Sequence, residues 1–246
     1  MRITRSPRPV SRWVPSTHAR EVPRAYIKAH SANNQNSAQP PLTMSSSPVA
    51  AVVLAAGLSR RLGRAKAFVS INGSTLVEWA YERLIDAGCE TVVVVNNDLA
   101  EQVARLLPKA TLVVNDDPDA GRMRSLQLGC AALVDQRGSL PERLVMAPVD
   151  RPAWDIEILE RLLNASTSSA PAHEGRRGHP VLLDDAAIEA MMAASADDSL
   201  RALVSFASVP VEAPWLHHNI DTEADVDRLL EDESALLACF SRGEGI

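Results

Sequence analysis

From Val49 onward the chain alternates short β-rich runs with helical ones, and that alternation restricts its fold more than any other feature. Such a pattern is the signature of βαβ units stacked into a mainly parallel sheet covered by helices. The run Val49 to Ala56 is continuously apolar, as a strand buried on both faces must be, and it ends at Gly57 and a polar loop. Thr75 and Glu78 have the spacing of a capping box, after which Leu76, Val77, Ala80, Tyr81 and Leu84 share one face of a helix that stops at Gly88. Strands are predicted over 91–95, 111–114 and 143–149, with helices over 100–107 and 124–134 between them. Asp155 is placed to cap a helix whose Ile156, Leu159 and Leu163 share a face. The remaining expectations are a polar loop over 166–178, a strand over 180–183, a helix over 186–193 and strands over 209–213 and 214–220. A last helix, capped by Thr222, turns Val226, Leu229 and Leu230 inward. With no internal repeat and no second boundary, this is one three-layer α/β/α domain, Rossmann-like, with a mixed, mainly parallel sheet.

The first 43 residues differ in kind. They hold seven Lys and Arg against the single acid Glu21, a net charge of +6, with prolines at 7, 9, 15, 23, 40 and 41. Too little apolar surface is present to offset the entropy of ordering, so residues 1–47 are expected to be a disordered basic tail ahead of a domain over 48–246. Three explanations of the tail stand open: an organelle transit peptide, a nucleic-acid arm, or a start-site artefact with the true start at Met44. No run reaches the roughly 18 to 20 apolar residues of a membrane span, which argues against a transmembrane protein. The net charge of −6 argues against nucleic acid as the main partner. Cys89, Cys130 and Cys239 are far apart and odd in number, which suits buried thiols in a reducing, cytoplasmic setting better than a disulfide framework or a zinc site.

The most informative stretch is LAAGLSRRLGRAK, Leu54 to Lys66, directly after the first strand. Gly57 lets the chain leave the strand sharply and bring bare backbone N–H groups close to a ligand, as phosphate-cradling loops do. Arg60, Arg61 and Lys66 add positive charge at the carboxyl end of a strand, where open α/β sheets bind ligands. The glycines at 57 and 63 do not fit the dinucleotide fingerprint, and no Gly-Lys-Ser or Gly-Lys-Thr of a P-loop follows.

This string resembles the signature loop of the MobA-like NTP transferases, the nucleotidyltransferases related to molybdenum-cofactor synthesis. That loop reads L-A-[AG]-G-x-S-x-R-x-G-x-x-K, and Leu54, Ala55, Ala56, Gly57, Ser59, Arg61, Gly63 and Lys66 meet every fixed position. Further landmarks follow in family order: Gly121 with Ser125, Leu126 and Gly129, then Asp150 before Pro152, then Gly178-His179-Pro180, then Asp221-Thr222. The likeness spans about Val49 to Leu230.

The resemblance implies a nucleotide-diphospho-sugar transferase (GT-A-like) fold and a Mg²⁺-dependent enzyme. Such an enzyme transfers a nucleoside monophosphate from an NTP to a phosphorylated acceptor such as molybdopterin, with release of pyrophosphate. It implies catalytic roles for Lys66, Arg61 and Asp150 and metal ligation by Asp150 and Asp221. Nucleotide contacts would come from Leu54, Ala55, Ala56, Gly57, Ser59, Arg60, Lys66, Asn97, Asp116, Gly121 and Ser125, and acceptor contact from His179. Asp221 with Thr222 also suits plain helix capping, and His179 a turn residue bonded to backbone. The LAAG form resembles cytidylyl-transferring members, so CTP is the expected donor. APVDRP at 147–152 departs from the Gly-Asp-x-Pro of the molybdopterin enzymes, which leaves sugar and alditol phosphates open as acceptors, and beside them a non-catalytic nucleotide-binding maturation factor. The expected partners are small molecules and a client molybdoenzyme, for a monomer or weak homodimer that engages neither nucleic acid nor membrane.

Overall fold

The computed structural model describes residues 26–27 and 48–241. The expectation of disorder over 1–47 lies outside the described residues except at 26–27. In chain order the elements are β1 (Tyr26–Ile27), β2 (Ala50–Ala55), β3 (Ser70–Ile71), β4 (Ser74–Thr75), α1 (Leu76–Asp86), β5 (Glu90–Asn96), α2 (Asn97–Leu106) and β6 (Thr111–Asn115). They continue with α3 (Arg122–Arg137), β7 (Arg143–Pro148), α4 (Ile156–Leu163), β8 (Ser169–His173), β9 (Arg176–Arg177), β10 (Val181–Asp184), α5 (Asp185–Ala193), α6 (Leu200–Leu203), β11 (Ala207–Pro210) and α7 (Glu223–Glu231).

The main sheet runs β1-β6-β5-β2-β7-β10-β8-β11, with β9 paired to β8. Its centre, β6-β5-β2-β7, is parallel; β1 joins β6 antiparallel, and β10 lies antiparallel to both β7 and β8. The sheet is therefore mixed and mainly parallel, in three layers, as the alternation predicts. Along β2 the side chains divide by parity. Ala51, Val53 and Ala55 join one cluster with Val77, Leu84 and Val103 of α1 and α2 and with Leu159 of α4. Ala50, Val52 and Leu54 join another with Leu126, Cys130 and Leu133 of α3 and Ile188 and Met191 of α5. A smaller cluster holds Leu62, Trp79, Leu229 and Phe240 together under the loop after β2.

Four expectations are corrected. Residues 166–178 are not a loop: Ser169–His173 and Arg176–Arg177 form β8 and β9. SAPAH has little intrinsic strand preference, and β8 exists because β10 and β11 flank it and Ser168 exchanges two hydrogen bonds with Asp184. Residues 214–217 form a short 3-10 helix opened by Pro214 instead of a strand. In α4 the buried face is Ile158, Leu159 and Leu162, while Ile156 is exposed, because five apolar residues in that segment permit more than one stripe. In α7 Leu230 is exposed, and Val226 and Leu229 alone carry the packing.

Candidate functional site

The strand order reverses between β2 and β7. The chain leaves β2 through α1 toward β5 and β6, then returns through α3 to lay β7 against the opposite side of β2. At such a switch point the loops after two adjacent strands diverge and leave a crevice at their carboxyl ends. A cleft of about 250 Å³ opens there, between Leu54–Gly57, Ser59 and Lys66 on one side, Pro118, Gly121, Arg122 and Ser125 on another, and Pro148–Asp150 at the end of β7.

The loop after β2 is held by its own chemistry. Ser59, at φ 50°, accepts the Leu62 and Gly63 amides on its carbonyl at 3.0 and 3.1 Å, and its hydroxyl accepts the Lys66 amide at 3.0 Å. Leu62 is buried in the third cluster and anchors the loop from below. Gly57 is glycine for a different reason than a sharp turn: its φ is not positive, and a β-carbon there would meet no protein atom within 4 Å. Gly57 is one of the residues that line the cleft. Opposite, Gly121 precedes α3 at φ 96°, and no side-chain hydrogen bond caps the helix, the kind of N-terminus that can receive an anion.

The cations and carboxylates meet beside this loop. Lys66 Nζ lies 2.5 Å from Asp221 Oδ1 and 3.9 Å from Asp150 Oδ2. Arg61 pairs with Asp221 at 2.8 Å, and Arg122 stands 3.8 Å from Asp150. Asn219 Nδ2 donates to Asp221 at 2.7 Å. The hydrogen bond from Lys66, then that from Asn219 and the Arg61 charge, hold the Asp221 carboxyl below its usual range. Asp150 is less satisfied, because its Oδ1 is buried without a hydrogen-bond partner among the described residues. A buried acceptor left open costs on the order of 1–3 kcal/mol, and more when charged. The backbone hydrogen bond from Ile220 N to Asp150 O, 2.9 Å, ties the segments that carry the two acids together.

Other site residues named from the sequence fall elsewhere. Arg60 pairs with Asp119 at 2.8 Å, both exposed, and neither lines the cleft. Asn97 is the exposed first residue of α2; its neighbour Asn96 does the local binding, giving Nδ2 to Ala56 O at 3.2 Å and accepting the Leu99 amide. Asp116 is exposed and paired with Arg124 at 2.8 Å, and neither Asn97 nor Asp116 lines the cleft. The buried Asn115 beside Asp116 binds the Ser125 hydroxyl at 2.9 Å. His179 stands outside the cleft lining, where burial, then the charges of Arg122, Arg151 and Arg201, push its imidazole down to about 3, leaving it neutral. Thr222 caps α7 through a capping box with Asp225, which frees Asp221 from capping. Sequence reasoning missed Arg122, although it directly follows Gly121; what was not legible is that α3 begins at the cleft.

The donor set suits a hard divalent cation. Among the described residues no three His, Cys, Asp or Glu side chains converge, so such a cation would rest on carboxylates and complete its shell with ligand oxygens and water. The unpartnered Asp150 Oδ1 is the atom that such an ion would satisfy.

Residues 51–212 match the family model of the MobA-like NTP transferase domain. A nicotine blue oxidoreductase from Paenarthrobacter nicotinovorans is 34% identical over 198 residues, covering 73% of this chain and 92% of that protein. A molybdenum cofactor guanylyltransferase from Xanthomonas euvesicatoria is 32% identical over 161 residues, covering 63% of this chain and 78% of that one. Among solved structures, Rv0371c from Mycobacterium tuberculosis has a TM-score of 0.63 at 23% identity, over 76% of this chain and 100% of its own. Rv0371c has also been solved as a complex with manganese. No helix among the described residues is long and apolar enough to cross a membrane. Because the family match takes in the loop after β2, the start of α3 and the acid after β7, this chain is a nucleotidyltransferase belonging to the MobA-like NTP transferase family.

Proposed function

We propose that the protein transfers a nucleoside monophosphate, CMP in preference, from an NTP to a phosphorylated small molecule such as molybdopterin, releasing pyrophosphate. The observation that carries this reading is the meeting of Lys66, Arg61 and Arg122 with Asp150 and Asp221 beside a loop whose Gly57 leaves room for a ligand. The loop amides and the uncapped start of α3 receive phosphate oxygens. An oxygen of the acceptor phosphate attacks the α-phosphorus, the bond from that phosphorus to the leaving oxygen breaks, and negative charge moves onto pyrophosphate. Lys66 and Arg61 leave Asp221 for that growing charge, so they stabilise the transition state by position, with no covalent intermediate on the protein. Asp150 and Asp221 would hold the divalent cation, Mg²⁺ in this reading, which when bound neutralises charge on the phosphate oxygens. His179, neutral and beside Arg122 and Arg151, orients the acceptor. The free, buried Cys89, Cys130 and Cys239 suit a reducing cytoplasm.

The preference for CTP rests on the LAAG form of the loop, in which Ala56 is buried and its carbonyl accepts from Asn96. GTP is the second reading, favoured by the guanylyltransferase named among the relatives. The test is pyrophosphate release from CTP, GTP, ATP and UTP with Mg²⁺ or Mn²⁺, offered molybdopterin and a panel of sugar and alditol phosphates. CTP with a phosphorylated acceptor should give turnover, and Asp150→Asn should lower it by about 100-fold or more with the fold retained. Silence with every pair would reject nucleotidyl transfer and turn attention to reductase chemistry, as the Paenarthrobacter relative's name describes.

A further inference from the structure

Arg83 is a cation to which the reaction gives no task. It lies on α1 and is 6% exposed, and no carboxylate pairs with it among the described residues. Burial pushes its guanidinium down to about 10, so it stays charged at neutral pH. Two acids act on it, Cys239 first: that thiol is itself pushed up to about 12 by burial, and Asp155 is occupied in capping α4. The guanidinium spends its hydrogens on main chain instead. Nε donates to Trp79 O at 3.0 Å, Nη1 and Nη2 to Pro152 O at 3.1 and 3.2 Å, and Nη1 also to Trp154 O. Its plane stacks 3.8 Å from the centre of the Trp154 ring, with Phe240 at 5.6 Å on the C-terminal segment. Buried cations are normally paired, and an apolar side chain of similar volume often packs such a place at lower cost.

We propose that Arg83 is a positioning residue that sets the Asp150 carboxylate for divalent-cation binding by clamping the segment after β7. The inference rests on the nucleotidyl-transfer reading above. Asp150 Oδ1 has no hydrogen-bond partner among the described residues and Oδ2 has only the long ion pairs to Lys66 and Arg122, at 3.9 and 3.8 Å, so the backbone carries much of the placing of this carboxylate. That backbone is fixed at Val149, whose amide binds Leu54 O at 3.1 Å, and at Asp150, whose carbonyl accepts Ile220 N. Past the acid, Arg83 takes the carbonyls of residues 152 and 154, and it joins them to α1 and to the C-terminal segment.

The test is a calorimetric titration of the full chain with Mn²⁺, made for the wild type, Arg83→Met, Arg83→Lys and Asp150→Asn, with thermal melts alongside. Residues behind metal ligands typically change affinity by 10- to 100-fold. Arg83→Met is expected to weaken Mn²⁺ about tenfold or more while it still melts cooperatively. Arg83→Lys should fall between it and the wild type, because an ammonium restores charge and some donors but not the planar fork. Unchanged Mn²⁺ affinity in folded Arg83→Met overturns the proposal. If that variant does not fold, unchanged affinity in Arg83→Lys overturns it equally. No Mn²⁺ binding by the wild type overturns the metal reading and this proposal together, which separates the two failures.

Discussion

At Gly57 a β-carbon meets no protein atom, whereas at Gly178 it would come within 2.5 Å of Leu216. Packing therefore requires glycine at 178 and not at 57, where the nucleotidyl-transfer reading puts the ligand. Gly57→Ala is expected to leave the melting temperature unchanged and to weaken NTP binding about tenfold, as a methyl in occupied space commonly costs 1–3 kcal/mol; equilibrium titration with CTP and GTP checks this. His179 gives a pH signature. Its folded pKa is about 3 against an ordinary value of 6.5, so between those values the unfolded chain takes up a proton that the folded protein refuses. Stability from this group is full above the upper value and falls as pH drops through the window. Asp221, held down chiefly by Lys66, adds a loss in the same direction below about pH 4. His179→Asn should flatten the fall in melting temperature between pH 6.5 and 4 and leave the curve above pH 7 parallel to that of the wild type. An equally steep fall in the variant would refute this assignment.

Among the elements, those with a signal confined to one or two turns were legible. The Thr75 and Glu78 capping box forms as the spacing predicts, with Thr75 N donating to Glu78 at 2.8 Å. The continuous apolar run of β2 is buried along its whole length. β8 was not legible, because strand character there is imposed by the strands beside it. The stripe of α4 was misread because amphipathic periodicity with surplus apolar residues does not choose a single face. One element depends on close approach: a β-carbon at Gly129 would come within 2.6 and 2.9 Å of Val52 and 3.0 Å of Val94, so glycine lets α3 press against β2 and β5. Gly129→Ala should cost about 1–3 kcal/mol by chemical denaturation, since stiff buried valines cannot yield.

Taken as a whole, the molecule is acidic, with a net charge of −6, yet it gathers Arg61, Lys66 and Arg122 around two acids. The Asp221 side of that site is held by packing farther off. Gly178 lets Leu216 seat against the turn before β10, and the chain continues from Leu216 to Ile220, which binds Asp150, and to Asp221. Gly178→Ala should therefore lower both stability and turnover, and Leu216→Ala added to it should recover part of the turnover; a double variant no better than the single one would break this link. By itself the sequence determined the alternation of strands and helices, the loop from Leu54 to Lys66 and the acids Asp150 and Asp221. The alternation rests on propensity and short spacing, which neighbouring residues along the chain express, and the loop and the two acids stand out through the family resemblance. The tertiary structure decided that Lys66 meets Asp221 across 155 residues, Arg64 meets Glu223 across 159 and Arg60 meets Asp119 across 59. It also decided that Asn96 stands at the loop and Asn97 does not, and that Arg122 joins the site. Contacts of that range depend on the order in which strands enter the sheet, and local residue chemistry carries no record of that order.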